Sequence, residues 1–358
     1  MQRKGERVCE LRNDPAIDVI DAKILHILLN ESRTSFTNIA KTCSISVGAV
    51  RMRYAKLKKT GIITGETMQV NPHSLGYQYV SDLGITTDIE KEAEVKEFFN
   101  TKPYLAHTVG PLGKYNFWTK VVLSDIKELN SIIEDLEAHP SIRRVDAFTW
   151  SEAVYMDHAE NLVIPPLSEK GYAEFRAQRG LVDSGCFEKV ELDAKDLEIV
   201  KVLSAHSRIP FRKIAQSLGI STKNVIQRYR RLRKSVLVRS SITVDLRKLG
   251  YAAWAHLLIK VENRSKVGEI CGQLLALRNL IVLIRYIGVY DLYATVVVAD
   301  FEDLFEVTER IRRIRAVEQT DVYVSPIFPR WPFNLFTFLL DPENMAAKNL
   351  LDLPSKCV

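Results

Sequence analysis

The sequence has little to offer a metal centre, a disulfide framework or a membrane. Its five cysteines (Cys9, Cys43, Cys186, Cys271 and Cys357) are scattered and odd in number, and no C-x-x-C pair occurs. That excludes the usual thiolate zinc sites and a disulfide-stapled fold; a reducing, cytoplasmic location is expected. The seven histidines, at positions 26, 73, 107, 139, 158, 206 and 256, are isolated from one another in sequence. No glycine-rich nucleotide loop and no nucleophile motif is present, so no metal, cofactor or catalytic residue is expected. The most apolar run, Phe333 to Leu340, is eight residues long and is interrupted by Asn334 and Thr337. A bilayer span needs about 20 apolar residues, so no membrane partner is expected. Residues 1–10 mix charges without an apolar stretch, and no signal peptide is expected there.

A strong excess of one charge is also missing. The net charge is +6 over 358 residues, too small to indicate a nucleic-acid partner by itself; its distribution matters more. The 46% hydrophobic content is enough for several cores, and the length predicts at least two domains.

What is present is an internal repeat. Sliding the chain by 175 positions puts Asp18 on Asp193, Asp21 on Asp196, Ser32-Arg33 on Ser207-Arg208 and Ile39-Ala40 on Ile214-Ala215. Ile45-Ser46, Val50, Arg53-Tyr54 and Leu57 fall on Ile220-Ser221, Val225, Arg228-Tyr229 and Leu232. Gly76-Tyr77 meets Gly250-Tyr251 with a slip of one, and Gly113-Lys-Tyr115-Asn116 meets Gly288-Val-Tyr290-Asp291 back in register.

Each repeat opens with helical periodicity. Ile17, Ile20, Ile24, Ile27 and Leu28 recur at helical steps, as do Leu192, Leu197, Ile199, Val200 and Leu203. A short second helix follows in each repeat, then a tight turn around Ser44 or Gly219. Ser46 and Ser221 stand where a hydroxyl would cap a third helix. The third helices should bury Val47, Val50, Tyr54 and Leu57 in one repeat and Thr222, Val225, Tyr229 and Leu232 in the other. Their remaining positions are basic: Ser46 to Thr60 carries +5 and Ser221 to Arg239 carries +7, with no acid in either stretch. Together they hold twice the net charge of the whole chain. A solvated face normally mixes signs. This pattern predicts two helix-turn-helix units and double-stranded DNA as partner.

The expected base-facing residues are Ser46, Gly48, Ala49, Arg51 and Met52 in the first repeat, and Ser221, Lys223, Asn224, Ile226 and Gln227 in the second. Asn and Gln are suited to adenine and Arg to guanine. Arg53, Arg228, Arg230 and Arg231 are expected on phosphates, and Lys56 is also expected at the DNA.

The rest of each repeat alternates strand-like and helix-like runs in the order β-α-β-β-α-β. The predicted strands are 78–86, 106–109, 117–123 and 145–151, then 254–261, 281–287, 292–298 and 317–324; the predicted helices are 91–100 and 125–139, then 265–277 and 301–314. The predicted fold class is α+β: two repeats, each a winged-helix-like helix-turn-helix followed by a ferredoxin-like βαββαβ domain. Tyr293 to Val298 is apolar at almost every position, so the second face of that sheet must be covered. The other repeat can supply the cover. The expected domains are residues 14–66, 67–158, 188–241 and 242–328. A linker is expected at 159–187, with at most one short helix near Glu169 to Arg179. The tail at 329–358, with Trp331, Phe333, Leu335, Phe336 and Phe338, either makes contacts between molecules or caps a core.

The ordered elements Asp-x-x-Asp-x-x-Ile-Leu, Ser-Arg, Ile-Ala, Ile-Ser, Val-x-x-Arg-x-x-x-Leu, Leu-Gly-Tyr and Gly-x-Tyr-Asp resemble the Lrp/AsnC, or feast/famine, family of regulators. The resemblance spans both repeats but not the linker or tail. It implies operator binding by the helix-turn-helix, followed by a regulation-of-amino-acid-metabolism (RAM) domain that dimerises through its sheets. It also implies homo-oligomers and an amino-acid effector. The chain would then be a covalent version of the family dimer. Effector contacts are expected at Gly288, Tyr290 and Asp291, with Gly113, Tyr115 and Asn116 as the counterpart; Asn116 departs from the family's acid. The bland alternative is that both segments are plain strand-connecting turns.

Two other classes share this outline. Sirohaem decarboxylases resemble the same two-domain unit, and Tyr115-Asn116-Phe117-Trp118 with His107 can be read that way; the paired basic helices have no part in such chemistry. A small-molecule sensor without DNA binding would be expected to carry neutral or acidic third helices.

Overall fold

The computed structural model describes residues 17–156, 189–277 and 279–340. The proposed linker, its short helix, and Cys9, Cys186 and Cys357 lie outside the described residues.

Each repeat opens with the expected three helices. In the first they are α1 (Val19–Asn30), α2 (Phe36–Cys43) and α3 (Val47–Lys59). After α4 (Glu92–Asn100) and α5 (Glu128–Glu137) of the first sheet domain come the counterparts of α1, α2 and α3, namely α6 (Ala194–Ala205), α7 (Phe211–Leu218) and α8 (Thr222–Leu232). Helices α1 and α6 start in the same way. Asp18 and Asp193 cap the free amides, and Asp21 and Asp196 reach back to close a capping box. Ser46 Oγ accepts from the Ala49 amide at 3.1 Å, and Ser221 Oγ from Asn224 at 3.2 Å, as predicted.

The turn before each third helix needs a left-handed residue. Gly219 supplies it at φ 62°, while Ser44 adopts φ 55° at some steric cost. Val50, Leu57, Val225 and Leu232 are buried, and Tyr54 and Tyr229 half-buried. Thr222, expected in the buried stripe, is exposed; it is the first residue of α8, where the chain is still entering from outside.

Strands β1 (Ile63–Val70) and β6 (Leu237–Val244) follow the helices and pair with each other across the repeats. Glu66 opposes Ile242 and Thr67 opposes Ser241. With the one-residue slip the two strands are equivalent 174 positions apart, so Thr67 opposite Ser241 is a pair of equivalents and marks a two-fold axis at the centre of the ladder. The strands are also exchanged. Ile242 and Val244 pack in the core formed by α1, α2 and α3, while Met68 and Val70 pack under the second set of helices. Neither helix-turn-helix completes its core from its own repeat.

The first ferredoxin-like unit is β2 (Tyr79–Thr87), α4 (Glu92–Asn100), β3 (Ala106–Val109), β4 (Phe117–Leu123), α5 (Glu128–Glu137) and β5 (Ile142–Met156). The second is β7 (Ala253–Val261), α9 (Val267–Leu274), β8 (Leu280–Ile287), β9 (Leu292–Val298), α10 (Phe301–Arg312) and β10 (Val317–Pro326). The strand order is β10-β7-β9-β8-β5-β2-β4-β3, with the halves joined where β8 meets β5. At the opposite end a single bridge, Leu112 to Val324, ties the first half to the second. It is the two-fold mate of the Thr149–Ile287 pair in the long β5–β8 ladder. The eight strands therefore close into a flattened barrel.

Helices cover the outside, with Val95, Phe99, Leu129 and Leu136 buried on one half and Ile270, Leu274, Val307 and Ile311 on the other. The inside is aromatic. Tyr115, Trp118 and Phe148 of the first repeat meet Tyr290, Tyr293 and Tyr323 of the second; each pair of equivalents is 175 positions apart. This is the cover that the apolar strand β9 required. The described part of the tail lies on the barrel, with Trp331, Leu335, Phe336 and Phe338 buried. It caps a core.

Candidate nucleic-acid interface

The third helices sit symmetrically about the axis that bisects the β1–β6 ladder. At this axis Ser32 and Ser207, equivalent residues, are joined Oγ to Oγ at 2.6 Å. The neighbouring arginines reach across it. The Arg33 guanidinium lies 4.1 Å from the Phe211 ring centroid and 5.6 Å from that of Tyr229. Arg208 lies 5.1 Å from Phe36 and 5.5 Å from Tyr54. Each arginine thus stacks on the helix-turn-helix of the other repeat, a cation–π contact that locks the two units together. The sequence contained one hint of this role, the Ser-Arg pair repeated at the same spacing.

A two-fold rotation leaves height along its axis unchanged, so α3 and α8 stand at the same level. Ser46, Gly48, Arg51, Met52 and Lys56 on α3 are exposed, and Ala49 is half-buried. On the other side Ser221, Lys223, Asn224, Gln227, Arg230 and Arg231 are exposed, and Ile226 is half-buried. The expected reading positions are therefore open to solvent, and they differ in chemistry between the two helices.

The basic residues divide into two groups. Arg53 Nη1 lies 2.5 Å from Asp18 and 2.8 Å from the buried Asp21. Arg228 repeats this with Asp193 at 2.7 Å and buried Asp196 at 2.8 Å, and its Nε donates to the Asn224 side-chain oxygen at 2.8 Å. Arg231 also pairs with Asp196. The amide of Asp196 and then the Arg228 guanidinium hold the Asp193 carboxyl below the ordinary carboxylate range. These arginines tie the third helix to the first, so any phosphate contact draws on the donors left over. Arg51, Lys223 and Arg230 are exposed on the same helices, and no ion pair commits them among the described residues.

The glycine–tyrosine turns are built into the barrel. Tyr115 is buried and donates to Asp146 at 2.8 Å; Tyr290 is buried and donates to Asp321. The Asp291 carboxylate accepts from the Val261 amide and from Arg264 Nε, each at 3.0 Å. Asn116 accepts from the Thr87 amide at 2.9 Å and donates to Glu92 at 2.7 Å. Gly113 and Gly288 complete the two turns, and the tyrosine and Asp/Asn side chains of both serve internal bonds.

Between the two sheets, beside the aromatic cluster, lies a cavity of about 60 Å³ whose wall includes His107 and His256. Burial holds both imidazoles neutral, with His107 lowered to about 4 and His256 to about 3. His107 Nε2 donates to the Leu335 carbonyl at 2.8 Å, which closes the tail over this ring.

Among the described residues no helix is long and apolar enough to cross a membrane. The AsnC-type helix-turn-helix domain matches the chain twice, at residues 17–58 and 192–233. The HTH-type transcriptional regulator LrpA of Pyrococcus horikoshii is 35% identical over 133 residues, covering 37% of this chain and 91% of the relative. The regulatory protein AsnC of Haemophilus influenzae is 31% identical over 121 residues, covering 33% of this chain and 79% of the relative. Over the whole length, the crystal structure of the siroheme decarboxylase NirDL has the same fused fold. Its TM-score is 0.62 at 17% identity, covering 92% of this chain and 98% of that one. At that identity the likeness is one of fold. The duplicated helix-turn-helix, at the spacing of the repeat, and the identity to single-unit regulators place this chain in the Lrp/AsnC family of transcriptional regulators, as a tandem member.

Proposed function

We propose that one chain binds double-stranded DNA as a covalent pseudo-dimer, at a site whose two halves differ in sequence. The observation that carries this is the pairing of two exposed, basic third helices about one two-fold axis with different side chains at equivalent positions. Gly48 and Ala49 stand where the second repeat has Lys223 and Asn224, and Met52 where it has Gln227. A homodimer reads a palindrome because its halves are identical. Here Asn224 and Gln227 favour adenine in one half-site and Arg51 favours guanine in the other, about one helical turn away.

Selection of bound duplexes from a random pool, at stated salt, tests the proposal. Enrichment of a site with two dissimilar half-sites is expected. Recovery of perfect palindromes overturns the asymmetry, and no enrichment overturns sequence-specific binding. Control by a small effector belongs to the same reading, as does association into homo-oligomers. The exposed rings of Phe301 and Phe305, one turn apart on α10, are an apolar surface that supports association.

The whole-length likeness to NirDL favours a second reading, an enzyme acting on a tetrapyrrole. The cavity weighs against it. Sites for drug-sized ligands occupy about 300–1,000 Å³, and His107 is closed in by the tail. Absorbance titration with an iron tetrapyrrole distinguishes the two: no binding is expected, and tight binding without DNA affinity would favour the enzyme.

A further inference from the structure

The two helix-turn-helix units are unequally charged, and the inequality outlasts their internal ion pairs. Residues 35–60, from the cap of α2 to the end of α3, hold six cations; the equivalent residues 210–235 hold eight, and neither stretch has an acid. Three cations in each unit are committed, at equivalent positions. Arg53 and Lys56 face the buried Asp21, and Lys58 lies 3.1 Å from Glu66. Arg228 and Arg231 hold the buried Asp196, and Arg233 lies 3.2 Å from Glu31.

The remainder is uneven. Lys41, Arg51 and Lys59 are exposed in the first unit, and Arg212, Lys213, Lys223, Arg230 and Lys234 in the second. None of these joins an ion pair among the described residues. Arg51 and Lys223 stand at base-reading positions, which leaves two cations for phosphate in one unit and four in the other. Only Lys59 and Lys234 are equivalents. Thr37, Asn38 and Ala55 stand where the second repeat has Arg212, Lys213 and Arg230, and Lys41 is answered by Gln216.

The additional cations are well placed for a DNA backbone. Arg212 and Lys213 occupy the first turn of α7 and are exposed, while Ile214 and Ala215 behind them are buried. In a helix-turn-helix this helix crosses the phosphates and the next one enters the groove. On α8, Lys223, Gln227 and Arg230 share one exposed stripe at helical spacing, continued by Lys234 beyond the helix end. The same stripe on α3 reads Gly48, Met52, Ala55 and Lys59, with a single cation.

We propose that the second helix-turn-helix anchors the chain on DNA, that Arg212 and Lys213 are phosphate contacts, and that the first unit holds its half-site with the weaker electrostatic grip. This rests on the reading of one chain as a DNA-binding pseudo-dimer. The consequence is polarity: the site is read at both ends but gripped mainly at one. Each phosphate neutralised steepens the fall of log affinity with log salt by about 0.9, so four contacts and two are separable by measurement.

Anisotropy titration of a random-sequence duplex with the full chain, over a salt series, tests this without any base recognition. Arg212→Ala/Lys213→Ala should reduce the slope by about 1.8, with an unchanged melting temperature. Adding Arg230→Ala and Lys234→Ala should bring the reduction to about 3.6, against about 1.8 for Lys41→Ala/Lys59→Ala. Thr37→Arg/Asn38→Lys places the missing cations on exposed positions of α2 and should steepen the wild-type slope by about 1.8, a gain that misfolding cannot mimic. An unchanged slope in Arg212→Ala/Lys213→Ala overturns the proposal. So do equal reductions when each unit is stripped, or no gain in Thr37→Arg/Asn38→Lys. Each of those results leaves the DNA-binding reading intact; a wild-type chain that binds no duplex at any salt overturns both together.

Discussion

The side chains of Ser32 and Ser207 meet across the pseudo-two-fold axis, 2.6 Å apart and separated by 175 positions, the spacing of the internal repeat. Ser240 bonds the same Ser32 hydroxyl, and all three serines are buried. A hydroxyl trio sealed at the joint between two helix-turn-helix units has no water to fall back on. Ser32→Ala removes its centre and strands two buried hydroxyls. It should lower stability by about 1–3 kcal/mol in urea unfolding. The double variant with Ser207→Ala should cost less than the sum of the two single ones, because the stranded partner disappears too. Additive losses would show that the bond contributes nothing.

The division of basic residues predicts different outcomes on similar side chains. Arg230→Ala should leave stability unchanged and reduce the slope of log affinity against log salt by about 0.9, as one released counterion requires. Arg53→Ala strips the buried Asp21 of its closest cation and should cost about 2 kcal/mol or more in stability. Arg228→Ala leaves Arg231 on the buried Asp196 and should cost less than Arg53→Ala. Salt-dependent DNA binding and urea unfolding on the same three variants separate the roles. Loss of stability in Arg230→Ala, with none in Arg53→Ala, would reverse the assignment.

Acid should loosen the barrel before the carboxylates titrate. Burial, offset in part by the Leu335 carbonyl and reinforced by the Lys120 charge, lowers His107 to about 4; burial and then Lys120 lower His256 to about 3. The unfolded chain binds these protons near pH 6.5. Between that pH and the folded values the unfolded state holds more protons, so stability is full above about 6.5 and falls as the pH drops toward about 4. The loss should reach a few kcal/mol for the pair. The melting temperature against pH for wild type and His256→Gln checks this; identical slopes between pH 6.5 and 4.5 would mean His256 does not titrate with unfolding.

Gly84 on β2 faces the Tyr115 ring so closely that a Cβ would stand 2.8 Å from it. Tyr115 stacks on Tyr323 of the other repeat at 5.7 Å between centroids and cannot retreat freely. Gly84→Ala should therefore destabilise by about 1–3 kcal/mol, read as a lower denaturant midpoint. Gly272→Ala on α9 meets nothing within 4 Å and should be neutral or mildly stabilising.

Local rules are legible in this chain. The capping aspartates, the Ser46 and Ser221 caps, the left-handed turns and the βαββαβ order depend on near neighbours and on apolar spacing. Those features survive in a one-dimensional string, as does the repeat that implies two-fold symmetry. Strands β1 and β6 were not legible. Ile63-Thr-Gly-Glu-Thr-Met-Gln-Val70 is too polar to signal a strand by alternation, and its partner and its core belong to the other repeat. The role of Arg53 was obscured for the same reason: its aspartates lie 35 and 32 positions away, so a basic helix looked uniformly available to DNA.

By itself the sequence determined that there are two homologous units, each a capped helix-turn-helix on a ferredoxin-like domain, with the positive charge concentrated on the third helices. Only the tertiary structure decided which arginines hold buried aspartates, that the units exchange strands, and that aromatic side chains of both repeats meet inside one barrel. Caps and periodicity arise from contacts within a few residues. Pairing across 175 positions is settled only when the chain closes on itself and buried polar groups must find partners.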